Sequence, residues 1–177
     1  MMQLSERRST WIPHLTLHKS EQINETLEAI LGKFSRDRFP EIVKQAAAFM
    51  RDIFPYSAGM GVASVGFCLG GMLSGALACE DPQLRGAVVY YGHPPEAHKL
   101  DLIACPLLGF YGEQDPKITS LIPDFAEAMQ EAGKSYEYHI YPETPHAFYN
   151  DTRPSYRREA SQASFTRMLA FFKEVLH

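Results

Sequence analysis

Cysteine is scarce in this chain. Its three cysteines, Cys68, Cys79 and Cys105, are odd in number and form no C-x-x-C pair. That argues against a disulfide framework and against a cysteine zinc site. Cys79 and Cys105 stand in apolar stretches and read as small buried hydrophobes, and a reducing, cytoplasmic setting is expected. Long hydrophobic runs are also missing. The longest, Ala46–Met50 and Pro106–Tyr111, fall far short of the roughly 20 residues a membrane helix needs. The stretch Met1 to Thr10 is polar, with two adjacent arginines and no apolar h-region, so no secretory signal is expected. Neither sign of charge dominates: 17 basic and 21 acidic residues leave a net charge of −4. Arg7-Arg8 and Arg157-Arg158 are isolated pairs without a basic stripe, which speaks against a nucleic-acid partner. No repeat, low-complexity tract or Gly/Ser linker interrupts the 177 residues, so a single domain over 1–177 is expected. At 45% hydrophobic and 21% charged, the composition is that of an ordinary globular protein.

What the chain does have is alternation. A helical region runs from about Gln22 to Phe54, with a break expected near Gly32 or at Phe39-Pro40. In its second half Ile42, Ala46, Phe49, Met50 and Ile53 recur at helical spacing and predict a core-facing stripe. Strands are predicted over Val62–Phe67, Gly86–Tyr91, Pro106–Tyr111 and Tyr136–Tyr141. Between them, helices are predicted over Leu69–Cys79 and Ile118–Ala132. The second has Thr119 or Ser120 as N-cap, Pro123 in the first turn and Gly133 as stop. A closing helix, Tyr156–Leu176, should turn Ala160, Ala163, Leu169, Phe172 and Leu176 inward. Near-continuous apolar strands alternating with helices imply an α/β fold, a mainly parallel sheet flanked by helices on both faces.

Between the first of these strands and its helix lies Gly66-Phe67-Cys68-Leu69-Gly70-Gly71. This is the G-x-nucleophile-x-G elbow with cysteine in the nucleophile place. A sharp, strained turn presents the central residue, and Gly66 and Gly70, two residues to either side, are expected to leave room for the chain to pass. The helix N-terminus after Cys68 favours a thiolate. The Leu69 backbone N–H is placed to donate to an oxyanion. A tight packing turn or a phosphate loop remains the rival reading of the motif, although no Gly-Lys-Ser/Thr follows, which rules out a Walker loop.

A nucleophile of this kind needs a base, and the base an orienting acid, in the chain order nucleophile, acid, histidine. Asp115, in Tyr111-Gly112-Glu113-Gln114-Asp115-Pro116, follows the third predicted strand. His146, in Pro142-Glu143-Thr144-Pro145-His146-Ala147-Phe148, follows the fourth. Such loops stand at the carboxyl ends of parallel strands, where sites form. Glu113 is the alternative acid and His93 the alternative base. Tyr91, His93 and Phe148 are candidates to line the pocket. His14 and His18 are four apart, but Pro13 and strand-like flanks oppose a helical metal pair, and no further ligands accompany them. His139 alternates within a strand and is expected to face solvent. No metal or organic cofactor is expected.

With these three positions in place, the chain resembles the dienelactone hydrolase family of α/β hydrolases. The resemblance rests on Val65–Gly71, Tyr90-Tyr91-Gly92, Cys105–Asp115, Gly133–Tyr138, Tyr141-Pro142 and His146-Ala147-Phe148, and covers about residues 40 to 177. It implies Cys68 as nucleophile, Asp115 as orienting acid and His146 as base. It also implies hydrolysis of a small ester or lactone through an acyl thioester. The pattern departs from the family in several places. Met1–Glu41 shows no Glu-x-x-Gly pattern and no Gly-rich loop to supply a second oxyanion N–H. The arginine expected after the histidine is unmatched, with Asn150 near its place and Arg153 a loose substitute. Ala147 replaces a glycine. The resemblance therefore implies a truncated α/β-hydrolase fold whose elbow strand forms a sheet edge. Thr10–His18 or a second copy in a homodimer would cover that edge. A catalytically weak relative serving as a binding or oligomeric module, and a redox-responsive thiol protein, are the other classes of function considered.

Overall fold

Two strand segments, Gly-Ala-Val-Val-Tyr and Leu-Leu-Gly-Phe-Tyr-Gly, carry no charge and are buried at every residue. Strands buried on both faces belong at the centre of a covered parallel sheet. A computed structural model of the chain, describing residues 38–177, places them there. The chain divides into Met1–Arg38 and Phe39–His177, and of the first unit only Arg38 is described. In chain order it comprises α1 (Phe39–Asp52), β1 (Ala63–Phe67), α2 (Leu69–Glu80), β2 (Gly86–Tyr90), a 3-10 turn (Ala97–Leu102), β3 (Leu107–Gly112), α3 (Pro116–Thr119), α4 (Ile122–Glu131), β4 (Tyr136–Tyr141) and α5 (Arg158–Leu176). The four strands pair in parallel in the order β1-β2-β3-β4. Several sequence expectations fall on residues 1–37 and lie outside the described residues. They are the Thr10–His18 segment, the His14/His18 pair, the helical region before residue 38, the absence of an oxyanion loop there and the N-terminal part of the single domain over 1–177.

The period of two in the strands sorts the core into two layers. Ala87 and Leu107 pack with Ala47 of α1, Leu77 and Ala78 of α2 and Phe125 and Met129 of α4. Val88, Tyr90, Leu108 and Phe110 point the other way, onto Phe148 and Ala160, Met168 and Phe171 of α5. Helices thus cover both faces. Cys79 and Cys105 lie buried in the first layer as free thiols, and burial pushes the Cys105 thiol up to about 11.

Two helix faces differ from expectation. On α5 the buried stripe is Ala160, Ser161, Ser164, Met168 and Phe171, while Ala163, Leu169 and Leu176 are exposed. The serines can be buried because their hydroxyls are satisfied locally. Ser161 Oγ donates to Phe148 O at 3.0 Å and Ser164 Oγ to Ser161 O at 3.1 Å, which removes most of the cost of burying a polar group. On α1 the buried residue is Ala47, with Val43 packed beside the core, whereas the whole expected stripe, Ile42, Ala46, Phe49 and Met50 with Ile53 just beyond the helix, is exposed. The region expected as one helix over Ile118–Ala132 is two. Thr119 Oγ1 does not cap a helix but donates back to Gly112 O at 2.7 Å, and Ser120 Oγ donates to Pro116 O at 2.6 Å. The chain turns between them, and α4 starts after Leu121 without a side-chain cap. Gly133 ends α4 as expected, at φ 66. Its N–H reaches Gln130 O at 3.0 Å and that of Lys134 reaches Met129 O at 2.8 Å, a Schellman stop.

An ion-pair cluster fixes α5 to the outer strand β4. Arg167 donates to both oxygens of Glu137 at 2.7 and 2.6 Å and also reaches Glu174. His139 Nε2 meets Glu137 Oε1 at 2.8 Å, so His139 is half-buried beside a carboxylate rather than facing solvent alone. The Arg167 hydrogen bonds hold the Glu137 carboxyl at about 2, against an ordinary 4.5. A depressed carboxyl contributes stability above its unfolded value and loses it as pH falls. The Glu137 contribution is therefore full above pH 4.5 and lost between about 4.5 and about 2. With its side chain 41% exposed, solvent screens part of it. Urea unfolding of wild type and Glu137→Gln should show a stability gap at pH 6 that is narrower at pH 3 and closes only near pH 2; an equal gap at pH 6 and pH 2 would rule out the pair as its source.

Candidate active site

β1 ends at Phe67 and α2 begins at Leu69, so one residue, Cys68, makes the whole turn. Its backbone stands at φ 55, ψ −117, a conformation that costs a non-glycine residue of the order of 1–3 kcal/mol. The turn is held from both sides: Cys68 N–H donates to Tyr90 O at 3.0 Å, and Met72 N–H donates to Cys68 O at 3.1 Å. Cys68 is exposed at the carboxyl end of the sheet. Leu69 opens α2, and the N–H groups of a helix's first turn have no intrahelical acceptor.

The glycines divide differently from the expectation. A Cβ at Gly66 would collide with the carbonyl of Gly70, so that position admits no side chain. At Gly70 a Cβ would meet nothing within 4 Å; its lack of a side chain is not needed for the turn. The second close approach is at Gly71, where a Cβ would stand 2.8 Å from Tyr90 O. A third is at Gly92, 2.5 Å from Met72 N. The tight packing is thus between α2 and the end of β2. In the sequence Gly92 directly follows the predicted strand Gly86–Tyr91, a signal that could have located this approach.

Asp115 follows β3 and is nearly buried. His146 follows β4, and its Nδ1 lies 2.5 Å from Asp115 Oδ2. The residues 31 apart in sequence are brought together because β3 and β4 pair in parallel from Leu107↔Tyr136 to Gly112↔Tyr141, which sets the two following loops side by side. Here the approach is so close that a Cβ on Gly112 would overlap Thr144 O. Glu113 is engaged elsewhere: its Oε2 accepts the Glu143 N–H at 2.8 Å. With Nδ1 on the carboxylate, the imidazole's Nε2 makes no hydrogen bond among the described residues. Among the described residues no hydrogen bond joins His146 to Cys68.

The imidazole rests on Tyr91, ring to ring at 5.0 Å, and Tyr91 rests on Phe148 at 5.4 Å. Tyr91 is buried, stands at φ 40 and lies near both Cys68 and Arg153; burial raises its hydroxyl to about 12. Phe148 is fully buried behind it. His93 is exposed, and among the described residues makes no hydrogen bond to Asp115 or His146. Ala147 occupies φ 59, a left-handed position that favours glycine, which accounts for a glycine being usual there. A cavity of about 870 Å³ lies at the opposite end of the sheet, lined by Arg51, Arg85 and Pro106 among others, away from Cys68, Asp115 and His146. No cluster of His, Cys, Asp and Glu suited to a metal occurs among the described residues. No helix among them is long and apolar enough to cross a membrane.

Known proteins are similar to this chain in sequence and in fold. A relative from Saccharolobus solfataricus designated a carboxymethylenebutenolidase is 39% identical over 115 residues, 64% of this chain and 44% of that protein. A crystal structure from Klebsiella pneumoniae subsp. pneumoniae designated a dienelactone hydrolase superposes with a TM-score of 0.58 at 33% identity, over 62% of this chain and 50% of that one. The fold alone is shared with a dienelactone hydrolase-like promiscuous phosphotriesterase from metagenomic libraries, at a TM-score of 0.71, 22% identity, and 89% and 69% coverage. The chain spans about half the length of the relatives it matches. The model of the dienelactone hydrolase family matches residues 13–176, nearly the whole sequence, and with the parallel sheet it shows that this chain is a member of the dienelactone hydrolase family, with the α/β-hydrolase fold.

Proposed function

We propose that the protein hydrolyses small esters or lactones, with Cys68 as nucleophile, His146 as general base and acid, and Asp115 as the orienting carboxylate. The observation that supports this most is the His146–Asp115 contact of 2.5 Å, at the same end of the sheet as an exposed elbow cysteine. Cys68 sulfur attacks the carbonyl carbon while its proton passes to His146 Nε2. The oxyanion accepts the Leu69 N–H. The leaving alkoxide takes the proton from His146 as the C–O bond breaks, leaving an acyl thioester. Water then loses a proton to His146 and attacks the thioester. The acid departs, and the proton returns to sulfur. Contacts of this kind are often long in a resting enzyme and tighten with substrate bound. Tyr91, with Phe148 behind it, and His93 are the proposed pocket lining. No metal or organic cofactor takes part in these steps.

Leu69 is the one oxyanion donor assigned among the described residues, and lack of a second donor costs about 10²–10³ in turnover. Turnover of an aryl ester such as p-nitrophenyl acetate should therefore be slow but Cys68-dependent. Rates equal to background in wild type, Cys68→Ala and His146→Ala would favour the alternative, a binding or oligomeric module. The cytoplasm is proposed as its setting, supported by three free cysteines.

A homodimer across β1 is also part of the reading. Val62 O and Cys68 N bond toward β2, so by alternation the main-chain groups of Ala63, Val65 and Phe67 face outward. Residues 53–79 contain no Lys, Arg, Asp or Glu, the usual protection of an open edge. Val65, Phe67 and Met72 are exposed around it. Sedimentation should show a dimer that Val65→Lys makes monomeric; a wild-type monomer at micromolar concentration would end the dimer proposal.

A further inference from the structure

The loop that carries His146 has an unusual backbone. Two non-glycine residues flanking the histidine, Glu143 at φ 51 and Ala147 at φ 59, are left-handed. Each costs about 1–2 kcal/mol for an L-residue, so such a conformation persists only where surrounding bonds over-determine it. The bonds are visible, and they come from the neighbouring loop. Glu113 N–H donates to Tyr141 O at 3.0 Å and Gln114 N–H to Thr144 O at 2.9 Å. The return bond comes from a side chain: Glu113 Oε2 accepts the N–H of Glu143, the first of the left-handed residues, at 2.8 Å. Thr144, buried between the loops, donates its hydroxyl to Pro142 O at 2.9 Å. Glu113 is thus bonded on both its backbone and its carboxylate to the segment that leads into His146. It stands two residues before Asp115, the partner of that histidine.

We propose that Glu113 is a positioning residue: its carboxylate clamps Glu143 in the left-handed conformation and so sets His146 Nδ1 against Asp115. This rests on the assignment of His146 and Asp115 under the proposed function. Geometry gives the clamp its leverage. Only Thr144 and Pro145 separate Glu143 from His146, and a displacement of about 1 Å at a catalytic group can cost as much as 10²-fold. The N–H of Glu143 needs an acceptor and not a charge, so the amide of Gln can replace the carboxylate, whereas Ala and its methyl cannot.

The test compares Glu113→Ala, Glu113→Gln and the double variant Glu113→Ala/Glu143→Gly with p-nitrophenyl acetate. It also uses the proton NMR resonance of the His146 Nδ1–H, assigned by its loss in His146→Ala. Glu113→Ala should lower kcat about tenfold with KM within twofold of wild type, and speed solvent exchange of the Nδ1–H by a similar factor. Glu113→Gln should stay within twofold of wild type in both. Glycine at 143 adopts positive φ without strain, so the double variant should recover part of the loss. Wild-type kcat and exchange in Glu113→Ala would overturn the clamp. An equal fall in Glu113→Gln would overturn it in favour of a charge effect. The exchange rate needs no turnover. Failure of the hydrolase reading would therefore show as wild-type rates in His146→Ala, with the clamp still judged by exchange.

Discussion

Cys68→Ala is expected to abolish Cys68-dependent ester turnover, lowering kcat/KM by at least about 10³-fold, because under the proposed mechanism the elbow offers no substitute for its thiol. His146→Ala should lose a comparable amount, and the two losses should not add, since nucleophile and base act as one unit. The two variants separate in what accumulates. An activated ester has a leaving group that needs no proton, so it can acylate Cys68 without a base. Water cannot then clear the thioester once His146 is gone. Mass spectrometry of His146→Ala after exposure to such an ester should show one added acyl group, mapped to the peptide containing Cys68. Cys68→Ala should show none. Acyl groups found on surface lysines in both variants, with no Cys68 adduct, would remove Cys68 as the nucleophile. Reversible sulfenylation of Cys68 without acyl trapping would instead favour a redox thiol.

Gly66→Ala is expected to be the most damaging small substitution in the described residues. Its methyl would overlap the Gly70 carbonyl, which is backbone and fixed in the first turn of α2. Relief requires α2 to move off β1 or the elbow to open. Either change disrupts packing against β2, where Gly71 already approaches Tyr90 O and Gly92 approaches Met72 N. A loss of about 4 kcal/mol or more is expected, read as a shift of the urea midpoint, together with loss of Cys68 acylation in whatever fraction folds. Gly70→Ala, four positions away in the same motif, should do the opposite. Its Cβ meets open space inside a helix, and replacing glycine there gains about 0.5–1 kcal/mol. Equal midpoints for the two variants would refute the account of the elbow. Together they separate the motif's physical requirement from its spelling: both glycines belong to the pattern, and only one is sterically obligatory.

Much of this protein is determined by local sequence. The strand–helix alternation, the buried strands β2 and β3, the Gly133 stop and the order Cys68, Asp115, His146 all follow from periodicity, turn chemistry and motif spacing. These are properties of a few consecutive residues, and apart from the splitting of the helix expected over Ile118–Ala132 the elements survived folding with shifts of one or two positions at their ends. Tertiary structure decided the matters that depend on what lies opposite. The stripe of α5 turned toward Ser161 and Ser164 because their hydroxyls found backbone acceptors, which hydrophobicity alone does not register. On α1 the core took Ala47 and Val43 instead of Ile42 and Phe49. Asp115 rather than Glu113 met His146 because the parallel register of β3 and β4 placed the two loops in contact and gave Glu113 a backbone N–H to hold. Gly71 and Gly92, rather than Gly70, proved to be the close approaches because strand and helix meet there across 20 residues of chain. The sequence therefore determined which residues could carry the chemistry. The pairing of strands, which sums contacts between distant segments, decided which of them stand together.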